Sequence, residues 1–134
     1  MRIGRSTSLP YALVCTAVGL LLGWVPALFH GPIPQKFDAV YMRGDVAVWA
    51  FYSARLLIGL SIGITCLPRR WYLRGPLCGF LALLPVSLIA LANPGCGARC
   101  TFWNLLSAVV LGGAVAGVAF LLTGRHHALE TRPG

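Results

Sequence analysis

Arg55 is the residue whose setting asks most for chemistry. It stands inside DVAVWAFYSARLLIGLSIGITCLP, residues 45–68, and a guanidinium within so apolar a stretch must be satisfied by protein, water or a lipid headgroup. On a helix, Phe51, Gly59 and Gly63 share its face at i−4, i+4 and i+8, so a partner helix or a small cavity can come close on the glycine side. Ten residues separate Asp45 from Arg55, about 15 Å along a helix axis. That is near mid-membrane if the helix enters at Asp45, and shallower if Trp49 marks the interface. The functional reading is a charge that binds an anion, a polar substrate or a headgroup. The structural reading is a guanidinium held by carbonyls, including those freed by Pro85, or by Asn104, Asn93, Ser87 or Ser53. Asn104 is the secondary candidate for a ligand contact. Asp38, Asp45 and Glu130 are the only carboxylates and none lies well inside an apolar run, so an ion pair at Arg55 within one chain is not expected.

The cysteines are the second candidates. Cys96 and Cys100 have three residues between them in NPGCGARC. In an oxidising compartment they would close a tight loop and pin two helices together. A redox pair is the sharper alternative, but redox motifs space their cysteines by two residues. Cys15, Cys66 and Cys78 fall toward one end of their apolar runs, the side on which His126 and His127 follow the last run. No ligand spacing supports a metal there, and no metal or other cofactor is expected.

Phosphate loops, dinucleotide fingerprints, HExxH and GxSxG motifs do not occur in the sequence. With three carboxylates, acid–base catalysis and proton-coupled transport have few candidates. A set on the loop, His30, Asp38, Arg43 and Asp45, could serve a headgroup enzyme, though a solvated face explains it as simply.

The elements that must position these residues follow from composition. Of 134 residues, 57% are hydrophobic and 10% charged, with a mean hydropathy of +0.78; soluble domains are about a quarter charged. The solvent for this surface is therefore expected to be lipid. The net charge of +8 falls in short clusters between apolar runs, the distribution of a membrane protein and not of a nucleic-acid binder.

Four membrane helices are expected, over about 9–29, 46–67, 75–92 and 102–123, forming one polytopic, all-α domain in an up-down bundle. The first run is longer than the apolar core of a signal peptide, which favours a retained span over a cleaved one. Between the first two, residues 30–45 carry Phe37, Val40 and Tyr41 at amphipathic spacing, expected as a short interfacial helix. Pro85 should kink the third helix. Residues 68–74 read as a loop, 93–100 as a turn, and 124–134 as a disordered polar tail. An even number of spans puts Arg2, Arg5, Arg69, Arg70, Arg74, Arg125 and Arg132 on one side, against Lys36, Arg43 and Arg99 on the other. The positive-inside rule then makes both termini cytoplasmic, as in a bacterial plasma membrane.

Helices in lipid associate through small residues at four-residue spacing. Gly19 and Gly23, Gly59 and Gly63, and Gly113 and Gly117 supply it on three helices, within one bundle or between copies. The expectation is a small integral membrane protein with no catalytic activity, an accessory or assembly subunit of a membrane complex. Its partners would be membrane lipids, further copies or other membrane subunits, and not nucleic acid. The alternative is a small oligomeric transporter or channel for an anion or polar solute, with Arg55 on its path.

Overall fold

The computed structural model describes residues 8–23, 44–92, 94 and 97–129. Among them the chain is all-helical, with α1 at Ser8–Leu22, α2 at Gly44–Ile64, α3 at Trp71–Ala92 and α4 at Gly97–Thr123. Two of these, α3 from Trp71 to Ile89 and α4 throughout, are long and apolar enough to cross a membrane. Tyr11–Leu22 of α1 and Tyr52–Ile64 of α2 are shorter apolar stretches. The end of the expected first span and residues 30–43 of the expected interfacial helix lie outside the described residues.

The boundaries differ from those read off hydropathy, each for a local reason. Helix α2 ends at Ile64, three residues early, where Thr65 gives its N–H to the Ser61 carbonyl at 3.0 Å. Pro68 lies just beyond, and the residue before a proline is pushed out of helical conformation. Helix α3 starts at Trp71 instead of Gly75, because the Arg70 carbonyl accepts from the amides of Leu73 at 3.2 Å and Arg74 at 3.0 Å. The expected loop 68–74 therefore moves back to residues 65–70. The helix then continues unbroken past Pro76 and Pro85. Helix α4 begins at Gly97, where φ is +57°, a conformation that suits glycine. It takes in much of the expected turn. At its far end Gly124, at φ +66°, donates to the Phe120 carbonyl at 2.7 Å and closes the last turn.

Two antiparallel pairs form by direct backbone approach. In the first, Ala12 of α1 lies against Gly63 of α2, Cys15 and Thr16 against Gly59, and Gly19 against Gly59 and the Arg55 carbonyl. In the second, Gly75 of α3 meets Gly112 and Ala116 of α4, and Gly79 meets Ala108 and Gly112. The pairs join where α1 packs on α4 and α2 on α3. Their shared core holds Cys15, Ile58 and Ile62 from one pair and Cys78, Leu83, Val115 and Ala119 from the other. Outward, every helix presents large apolar side chains, among them Leu21, Trp49, Ile89 and Leu121.

The two small-residue stripes of α4 are not equivalent. A methyl at Gly112 would collide with the backbone of α3, whereas one at Gly113 would rest 3.5 Å from the Pro76 ring. Gly112→Val should destabilise the protein by about 2 kcal/mol or more through overpacking. Gly113→Ala should be neutral or stabilising by up to about 1 kcal/mol, since alanine is the better helix former. Unfolding of both variants in detergent micelles checks the contrast.

Candidate functional site

Arg55 lies near the middle of α2 and is 5% exposed. What packs on it is α1. A Cβ added at Gly23 would sit 2.5 Å from Arg55 Cγ and 3.0 Å from its Cβ. The glycine end of α1 is thus a bed for the arginine stem. The space expected beside Gly59 and Gly63 is filled by the backbone of Ala12, Cys15 and Thr16. Arg55 and the glycines of the first two helices therefore form one seam.

Asn104 belongs to the other seam. Its amide donates to Ser87 Oγ at 2.8 Å, while the Thr101 hydroxyl reaches the carbonyls of Ser87 at 3.1 Å and Gly97 at 3.0 Å. These bonds tie α3 to α4 at the end where the two helices are joined in sequence. Gly113 and Gly117 lie against Pro76 and Trp71, and the close backbone contact of α4 is made by Gly112.

The cysteines divide. Cys15 and Cys78 are buried free thiols and Cys66 is half-buried. Cys96 and the side chain of Cys100 lie outside the described residues, and the expected disulfide with them. Among the described residues no group of three His, Cys, Asp or Glu is placed to hold a metal.

Sequence reasoning missed Arg74, which it placed in a solvated loop. Arg74 is in the first turn of α3 and is 0% exposed. Its Nη2 donates to the Tyr11 hydroxyl on α1 at 2.7 Å and to the His126 carbonyl beyond α4, and Nη1 reaches the Arg69 carbonyl at 3.4 Å. The Tyr11 hydroxyl in turn donates to the same His126 carbonyl at 3.3 Å. The guanidinium also lies 5.9 Å from the centre of the Tyr11 ring, within cation–π reach. One signal was available. Arg74 precedes Cys78 by four residues, so the inward face of the helix extends back through it.

The tail is consequently folded through Leu129, contrary to the disordered tail expected from its polarity. The His126 ring stacks on Phe120 at 4.6 Å, Phe120 stacks on Trp71 at 5.9 Å, and Ala128 is buried. Where the tail meets the α2–α3 loop, a cavity of about 790 Å³ opens, with Arg69, Arg70, Tyr72, His126 and His127 on its wall. The Arg70 guanidinium, cationic at physiological pH as any arginine is, donates to the Tyr72 hydroxyl, and that bond pushes its pKa further up. The sequence matches no protein-family profile and no curated protein, and no solved structure matches the fold.

Replacing Arg74 tests the clasp. Arg74→Ala leaves the Tyr11 hydroxyl and the His126 carbonyl without their charged donor, at about 2–3 kcal/mol for bonds to a charged group. Tyr11→Phe should cost about 1 kcal/mol. In limited proteolysis, cleavage around Arg125 should rise sharply for Arg74→Ala and modestly for Tyr11→Phe.

Proposed function

We propose that this chain is a small integral membrane protein whose four helices all cross the bilayer, and that it serves without catalysis as an accessory or assembly subunit of a membrane complex. The supporting observation is the division of its surface. Small residues and the two buried guanidiniums face inward, while Leu21, Trp49, Ile64, Ile89 and Leu121 are more than three-fifths exposed. So much outward apolar surface needs lipid, a second copy or another membrane subunit to cover it. In this reading α1 lengthens to a full span, the 21 residues of α2 cross the bilayer, the segment before α2 lies in the interface, and Cys96 and Cys100 bridge on the outer side. Both termini and the Arg69–Arg74 region then face the cytoplasm of a bacterial cell.

Arg55 is a packing element in this account, its stem laid on Gly23 and its charge held inside the α1–α2 seam. A transporter with Arg55 on its path would need that seam to open. Reconstituted liposomes separate the two readings. Arg55→Ala should lower thermal stability, and neither it nor the parent protein should carry anion or polar-solute flux. Flux in the parent that Arg55→Ala abolishes, with the fold intact, would establish transport instead. Membrane integration is checked separately, since the protein should remain in the pellet after alkaline carbonate extraction.

A further inference from the structure

The cavity at the Arg74 end is built from three separate segments. Cys66 and Leu67 come from the chain leaving α2, Arg69, Arg70 and Tyr72 from the start of α3, and His126, His127 and Leu129 from beyond α4. None of these residues is acidic. Two arginines and two histidines are among the lining residues, and the buried Arg74 guanidinium lies close by, bonded to the Arg69 carbonyl. Its acceptors among the described residues are neutral, a phenol and carbonyls, so among those residues its charge adds to the positive potential at the mouth.

The helix frame acts in the same direction. Tyr72 is on the wall and lies in the first turn of α3, a helix of 22 residues. Of its opening N–H groups, those of Leu73 and Arg74 already bond the Arg70 carbonyl, and the helix end as a whole carries partial positive charge. On the tail side, His126 and His127 complete the lining. Two arginines beside a helix N-terminus are a combination that anionic oxygens satisfy. The cavity's volume falls within the range of about 300–1,000 Å³ typical of small-ligand sites.

We infer that this cavity binds a phosphate group, from an anionic phospholipid headgroup or from a soluble phosphate. Arg69 and Arg70 supply the planar forks that match phosphate oxygens two at a time. The exposed side chains of Leu67 and Leu129 on the rim suit the glycerol and first methylenes of a lipid. The site requires only this chain, whereas a lipid source for the phosphate rests on the membrane reading above.

The full-length chain in non-ionic detergent would be titrated with inorganic phosphate by calorimetry. In parallel, nanodiscs of mixed phosphatidylglycerol and phosphatidylcholine would be read by native mass spectrometry for retained lipid. Saturable phosphate binding without phosphatidylglycerol enrichment points to a soluble phosphate. Phosphatidylglycerol enrichment points to a headgroup. In either case Arg69→Ala/Arg70→Ala should weaken binding by about tenfold or more, as expected for lost charge-assisted contacts. Arg99→Ala/Arg125→Ala, which removes the same charge away from the cavity wall, should leave it unchanged. Arg69→Gln/Arg70→Gln gives the same reading should the alanine pair lose its helical circular dichroism. The proposal is overturned if neither probe binds, or if both charge-removing pairs weaken binding equally. The phosphate arm uses no lipid, so its outcome is independent of carbonate extraction.

Discussion

The Arg74 guanidinium is the contact on which the rest of the structure depends. Each glycine seam joins only two helices, α1 to α2 and α3 to α4. Arg74 bonds Tyr11 of one pair from its place in the other, and takes the carbonyl of His126 from the segment that follows both. A guanidinium held away from water, with no carboxylate beside it among the described residues, needs every available acceptor. It therefore draws in a phenol, a loop carbonyl and a tail carbonyl. That demand orders the tail, and the ordered tail forms one wall of the cavity.

The two buried arginines solve the same problem differently. Arg55 lies in mid-helix, where α1 gives up side-chain volume at Gly23 so that its stem can lie flat. Arg74 lies in a first turn, where acceptors from a loop and a chain end are within reach. Around Arg55 the small residues of α1 and α2 let the two backbones approach closely, the kind of contact that packs helices where there is little hydrophobic drive between them. The Ser87, Thr101 and Asn104 bonds add polar fastening at the opposite end of α3 and α4.

Much of the helical frame was legible in the sequence, because apolar runs bounded by Pro, Gly and Arg mark helices with little ambiguity. The glycines of α1 and α2 were legible for the same reason, since each helix offers one small-residue stripe. Helix α4 offers two, Gly112 with Ala116 and Gly113 with Gly117, and only the partner backbone selects between them. Arg74 was hidden by its neighbours. Beside Arg69 and Arg70 it reads as one more interfacial charge, and its partners lie 63 and 52 residues away, beyond any local pattern. The tail was misread for a related cause: its polarity describes its side chains, while the clasp is made through a backbone carbonyl.

The claim that Arg74 holds the tail against the α2–α3 loop is tested most directly by cross-linking in native membranes. A Leu129→Cys variant places a second thiol on the lining of the cavity that the native Cys66 also lines, and a short bismaleimide followed by peptide mass spectrometry reads their proximity. The account predicts an intramolecular link between Cys66 and the thiol introduced at position 129, and its loss when Arg74→Ala is added. No link in the first variant, or equal yield in both, would contradict it.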